Sequence, residues 1–301
     1  MAVVAANSLG VRAFRILNVI LLVVLCVSVL YPMLHVLSIS LSDFGPVARD
    51  EVTFYPREFT LQPYREVAKN NTILSAYKNT LFITLPGTIF GVILTSFVAY
   101  PLSRPGFMGR RFFTFAVALT LWFSGGMIPS FMVIHALRLY NRLAAVIIPS
   151  LVNSFNVVIM LTFFRGVPQD LIDAARIDGC NEARILFRIV YPVSKPILAT
   201  VSLWTAVALW NSFLEPLLYL QDWSKYPLQV ILRGIVLQGM SDVYLSNTGF
   251  ANTGVNDRET MVIDESLRAA TVMAATIPIL LVYPFLQKHF TKGVMIGSIK
   301  G

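Results

Sequence analysis

Apolar residues fall along the chain in six long runs, at about 15–40, 77–101, 112–134, 143–164, 197–220 and 268–287. Each is about as long as the ~20 residues that carry a helix across a bilayer. Backbone groups in lipid must be satisfied within the segment, so the runs predict helices; barrel strands would be shorter and would alternate. The expected fold class is all-α, a polytopic membrane protein with six transmembrane helices. Arg12 and Arg15 precede the first run as they would in a signal peptide. That run is too long for a signal's apolar core, and no convincing small-x-small cleavage site follows, so it reads as a retained span.

Two of the intervening stretches are long. Residues 42–76 contain Pro46, Pro56 and Pro63, and residues 221–267 contain SNTGFANTGVNDRET, which predicts an irregular centre. No internal repeat or low-complexity tract interrupts the pattern, and residues 1–301 read as a single membrane domain with a loop at 221–267. The remaining polar stretch, 165–196, is different in kind. It sits between the fourth and fifth runs and is rich in Asp, Glu and Arg.

Charge then orients the spans. Only 13% of residues are charged, against roughly 25% in soluble domains. A net charge of +8 could suggest nucleic acid, but its placement argues against that. The N-terminus, the 102–111 loop, the 165–196 segment and the C-terminus carry 13 basic residues against Asp170, Asp173, Asp178 and Glu182, a net of +9. The other side holds 11 basic and 12 acidic residues, a net of −1. The positive-inside rule puts both termini and the 165–196 segment in the cytoplasm and the 221–267 loop outside.

Within 168–192, PQDLIDAARIDGCNEARILFRIVYP, Pro168 suits a helix start, and Asp170 and Asp173 favour the positive end of the helix dipole. Gly179 permits a turn with positive φ. Ile185, Leu186 and Ile189 then repeat with helical spacing until Pro192 and Pro196. The local reading is helix, glycine turn, helix. Ala174 and Ala175 would let another protein approach closely; a connector resting on lipid headgroups fits the same residues equally well.

The stretch DAARIDGCNEARILFRIVYP resembles the EAA motif of ABC-importer permeases. Asp173, Ala174, Ala175, Asp178, Gly179, Ile189 and Pro192 fall on its spacing, with Asp173 for the usual Glu, Cys180 for Ala and Tyr191 for Leu. WNSFLEPLLYL at 210–220 and the ending YPFLQKHFTKGVMIGSIKG resemble the carbohydrate (MalG-like) branch, in particular its members for complex, often uronate-containing oligosaccharides such as alginate or pectin fragments. The resemblance implies a bacterial cytoplasmic-membrane protein whose 173–190 region is a coupling helix on a cytoplasmic ATPase dimer. Asp173 would pair with a basic residue there, and Asp178 would help fix the turn. It further implies a second, homologous permease in a heterodimer and an external solute-binding protein near 221–267. The C-terminal tail would reach toward the ATPase. The chain itself has no Gly-Lys dipeptide and so no P-loop; ATP and Mg would be bound by the partner, and no cofactor is expected on this chain.

Polar groups inside spans face partners or cavities. Thr200, Trp204, Ala208, Asn211 and Glu215 share one helical stripe in the fifth run, and Asn153 and Asn156 share a face in the fourth. Amides hydrogen-bond sugar hydroxyls and aromatic rings stack on sugar faces, so Trp204, Asn211, Asn153 and Asn156 are candidates for the translocation path. Glu215 would repel an acidic sugar, so it is expected to pair with a neighbouring cation. His35, His135 and His289 lie apart, with no metal-ligand spacing, and His35 reads as structural. Cys26 and Cys180 form no evident pair. No enzyme chemistry is expected. The alternative is an ion-gradient-driven sugar transporter, against which the spans offer no mid-membrane carboxylate and no inverted repeat.

Overall fold

The computed structural model describes residues 9–237 and 265–281. It comprises two compact units, residues 1–70 with 242–276, and residues 71–241 with 277–301. Among the described residues every regular element is helical, apart from one isolated bridge between Ser42 and Phe59.

In the first unit, α1 (Leu9–Ser40) is the longest element. Its apolar side chains from Phe14 to Leu30 are more than half exposed, a surface that only lipid or another apolar helix can cover. Beyond its end come two short helices, α2 (Phe44–Ala48) and α3 (Gln62–Lys69). Ile39, Val47, Val52 and Ala269 form a small core. His35 bonds through Nδ1 to the Thr53 carbonyl at 3.0 Å and stacks on Tyr31, the structural role expected of it.

The second unit is built on α4 (Asn71–Ser103). It continues with α5 (Arg110–Trp122), α6 (Met127–Ala136), α7 (Ala144–Ser150) and α8 (Ser154–Arg165). Next come α9 (Gln169–Ile177) and α10 (Glu182–Ile185), which runs through a π-turn at Leu186–Val190 into α11 (Tyr191–Val193). Then follow α12 (Lys195–Trp210), α13 (Leu214–Tyr219) and α14 (Leu228–Leu237). A final helix covers residues 265–281, of which those up to 276 belong to the first unit; the rest of the predicted sixth span, the tail with Lys288, Lys292 and Lys300, and His289 lie outside the described residues, as do residues 238–264 of the external loop.

Two predicted spans are bent within their length, and a third bend marks the expected end of the charged segment. The run 112–134 becomes α5 and α6, bent by 118°. Phe-Ser-Gly-Gly separates them, and Gly126, at φ +83°, leaves the helical region; hydropathy alone cannot register such a break. α7 and α8 meet at 43°, where α7 closes at Leu151 and Asn153 caps α8. α11 turns into α12 at 91°, with Pro196 in the first turn of α12, where its missing N–H costs nothing. The fifth run also ends early: α12 stops at Trp210, and α13 begins only after Asn211, Ser212 and Phe213.

One core joins the ends of these elements. Ala99 and Tyr100 from α4, Met160 and Phe164 from α8, Ile172 from α9, Ile185 from α10 and Val201 from α12 pack together. The start of the predicted external loop is also held: the Asn79 amide donates to the carbonyls of Ser224 and Tyr226, and the Leu228 N–H to the Thr80 hydroxyl at 2.8 Å.

Candidate functional site

The charged segment is a helical hairpin with one buried edge. Ile172 and Ala175 face the core, and a fully buried isoleucine is worth about 2 kcal/mol. Leu171, Asp173, Ala174, Ile177 and Asp178 point outward, and Ile177 is 87% exposed. The two motif alanines therefore divide: Ala175 packs inside and Ala174 lies on the free face. Because the apolar edge is already satisfied within the protein, the outer face is left to something else.

The end of α9 is a complete left-handed cap. Gly179 has φ +77°. Its N–H bonds to the Arg176 carbonyl, and that of Cys180 bonds to the Ala175 carbonyl, both at 3.0 Å; these are the two bonds of a Schellman motif. Asn181 then caps α10, accepting from the Arg184 N–H at 2.8 Å. Ile189 is half-buried and Pro192, in α11, is exposed; the second helix does not stop at Pro192 but continues to Val193, beyond the π-turn at Leu186–Val190.

Polar contacts tie this hairpin to its neighbours. Arg176 reaches Asp173 at 3.3 Å and Glu182 at 2.8 Å, and Gln169 donates to Asp173 at 3.1 Å. Asp173 thus already has two partners within the chain. Burial works to raise the Glu182 carboxyl, but bonds from Tyr100 and Arg176 outweigh it and hold the group below its ordinary range. The Tyr100 hydroxyl donates to Glu182 at 2.7 Å. Arg104 is only 7% exposed. It donates to the Phe164 carbonyl at 2.8 Å, to the Ser103 hydroxyl at 3.0 Å and to Gln169 at 3.3 Å, and stacks over the Tyr100 ring. As a charge near a span end, Arg104 carries an orientation signal in the sequence; its burial and its bonds do not show there.

The second feature is a cavity of about 1060 Å³ walled by α6, α7, α8, α12, the 211–213 break and α13. Ligand pockets run to roughly 1,000 Å³, so a chain of several sugar rings fits. Trp204, Asn211, Asn153 and Asn156 all line it, with Ala208 and Glu215. Thr200, the first member of the stripe, is not on its wall. Trp204 lies against Phe155, ring centres 5.5 Å apart. Asn153 caps α8 through its carbonyl oxygen, and Asn156 bonds across to Thr205 at 3.3 Å. The bend between α5 and α6 brings Gly125, Pro129 and Ser130 to the opposite wall.

Charge on the cavity wall differs from expectation. Among the described residues no cation pairs with Glu215. A cation does stand behind the rim, on α14: Arg233 lies 4.3 Å from the centre of the Phe213 ring, which lines the cavity. One turn earlier, Gln229 donates to Asn211 at 3.3 Å. The four-residue spacing of Gln229 and Arg233 is visible in the sequence, but it falls in a stretch read as external loop.

Comparison with known proteins adds the family. Residues 80–296 match the model described as binding-protein-dependent transport system inner membrane component. The chain is 39% identical over 270 residues to the polygalacturonan/rhamnogalacturonan transport system permease protein YtcP of Bacillus subtilis (strain 168), covering 90% of this chain and 92% of that one. It is 36% identical over 295 residues to protein LplC of the same organism, covering 98% and 97%. Among solved structures it resembles a chain of a bacterial ABC transporter involved in the import of the acidic polysaccharide alginate, with a TM-score of 0.84, 30% identity, and coverage of 94% of this chain and 99% of that one.

Proposed function

The chain belongs to the family of binding-protein-dependent transport system inner membrane components, and on that premise we propose that it forms half of the membrane pathway of an importer for uronate-containing oligosaccharides. It is an ABC-importer permease for oligosaccharides and not an enzyme; such permeases act with an ATPase, a paired permease and a solute-binding protein. The proposal adds finer assignments. The paired permease is a different chain, both termini face the cytoplasm, and the ATPase dimer, with its ATP and Mg, docks on the outer face of α9 and the Gly179 turn.

The observation that carries the reading is the convergence of Trp204, Asn211, Asn153 and Asn156 on one cavity, in a fold whose charged hairpin keeps its outer face free. Sugar hydroxyls would meet the amides, and a sugar face would stack on Trp204. The acidic class is supported by the polygalacturonan and alginate transporters among the similar proteins and by the position of Arg233. ATP binding would close the ATPase dimer, draw the two permeases' hairpins together and rock the spans around the cavity.

The test is uptake by right-side-out vesicles carrying the whole complex, with binding protein outside and ATP inside. Uronate oligosaccharide should accumulate only with both present. Uptake driven by an ion gradient without ATP would overturn the reading.

A further inference from the structure

We propose that Arg104 and Tyr100 splint the two joints of the charged hairpin, so that movement imposed on α9 passes into the spans instead of bending the hairpin. The inference rests on the importer reading, because it concerns how the docked motor's stroke is transmitted. Neither residue falls within the EAA pattern.

The hairpin has two weak points. One is the link between α8 and α9, Gly166-Val167-Pro168, where the continuous ladder gives way to two tighter bonds, from the Gly166 and Val167 N–H groups to the carbonyls of Phe163 and Phe164 at 3.0 and 3.3 Å, and Pro168 donates none. The other is the turn at Gly179. Both carry local backbone bonds, but each interrupts the continuous helical ladder, so a push on α9 would bend the segment there before it bent a helix.

Arg104 bridges the first joint. One guanidinium nitrogen holds the Phe164 carbonyl before the link at 2.8 Å, another holds Gln169 after it at 3.3 Å, and the third holds Ser103 at the end of α4. A planar fork can hold such fixed directions together; a lysine ammonium cannot reproduce them. The second joint is bridged by Arg176 and Glu182 at 2.8 Å. That pair is about half exposed, and exposed pairs are worth little by themselves. Tyr100 changes this by donating to the other Glu182 oxygen at 2.7 Å while its ring supports Arg104. The contacts close a ring through Arg104, Gln169, Asp173, Arg176, Glu182 and Tyr100.

The ring is anchored to a strut that reaches the cavity. α8 has 12 residues, about 18 Å at 1.5 Å each. Val157, Met160, Leu161 and Phe164 are buried along it, so it moves as a packed body. Phe164 at one end accepts from Arg104; Asn153 and Asn156 at the other line the cavity. Arg104 and Tyr100 are positioning residues. Both are buried within the chain, and their effect is on coupling, for which spatial continuity alone is no proof.

The experiment uses the assembled complex with ATPase, paired permease and binding protein, reconstituted in vesicles. Tyr100→Phe deletes one hydroxyl and keeps the ring; Arg104→Lys keeps the charge and loses the fork. Three quantities are read: ATPase retained on purification, ATP hydrolysed, and uronate oligosaccharide taken up per ATP. Tyr100→Phe should retain the ATPase and its hydrolysis while uptake per ATP falls at least about fivefold, with Arg104→Lys showing the same pattern where it assembles. Unchanged uptake per ATP in Tyr100→Phe, or a loss only in proportion to lost ATPase, would overturn the splint. Absence of ATP-driven uptake in the wild-type complex would instead overturn the importer reading.

Discussion

The amide of Cys180 bonds to the carbonyl of Ala175 at 3.0 Å, closing the backbone over Gly179. The cap requires φ +77° at that glycine, and a Cβ added there would meet nothing within 4 Å. The cost of replacement is therefore conformational and not steric. A left-handed backbone costs an ordinary side chain about 1–2 kcal/mol, and more when it is β-branched. Gly179→Val should misplace α10 relative to α9 and abolish uptake while the ATPase alone still hydrolyses ATP. Gly179→Asn, which tolerates this conformation better, should keep measurable uptake. Vesicle uptake for the two variants checks the order; equal uptake in both would remove the turn from the mechanism.

Much of this was legible in the chain because the signals were local. The six apolar runs announce a helical membrane fold, and Gly179 announces its turn. The four-residue spacing of Trp204 and Ala208 puts them on the same wall even though α12 ends at Trp210. What escaped depends on tertiary placement. The 112–134 run hides a 118° bend because the glycines that cause it are as compatible with hydropathy as any small residue. Arg104 reads as one more basic residue at a span end until the neighbouring ends of α8 and α9 enclose it. Arg233 sits in a stretch whose polar, irregular centre masked an ordered helix at its start.

Close packing on α4 gives a second prediction. A Cβ at Gly91 would lie 3.2 Å from the Leu151 carbonyl oxygen, a backbone atom that cannot swing aside, and 3.4 Å from Thr205. Small residues let membrane helices approach this closely. Gly91→Leu should cost about 1–3 kcal/mol through overpacking and lower the thermal midpoint of the detergent-solubilised protein. An unchanged midpoint in a scanning fluorescence measurement would mean that the helices separate freely there.

Trp204 offers a test of the cavity. Its ring lies beside Phe155, so removal should leave a partner aromatic but half the stacking surface. An aromatic stacking contact is worth about 0.5–1.5 kcal/mol, or up to roughly tenfold in affinity. Trp204→Ala should reduce uptake by about that factor at limiting substrate, with Trp204→Phe in between. If the amount of assembled complex falls in step with uptake, Trp204 is a packing residue and not part of the path.

The charge of the cavity makes the last prediction the one that bears on substrate class. Glu215 lines the wall, and a carboxylate there opposes an acidic sugar. Arg233, held over the Phe213 ring at 4.3 Å, is placed to offset it, and among the described residues it has no carboxylate of its own. A partly exposed pair between Arg233 and a uronate carboxylate is worth about 1 kcal/mol, a factor of about five in uptake. Arg233→Ala should therefore lower uptake of a uronate oligosaccharide about fivefold and leave a neutral oligosaccharide of equal length nearly unchanged, while Glu215→Gln should favour the acidic substrate. Competition between the two sugars in the same vesicles gives the ratio directly and cancels differences in expression. If Arg233→Ala slows both sugars equally, the cation only steadies Phe213, and the acidic preference must come from the paired permease or the binding protein.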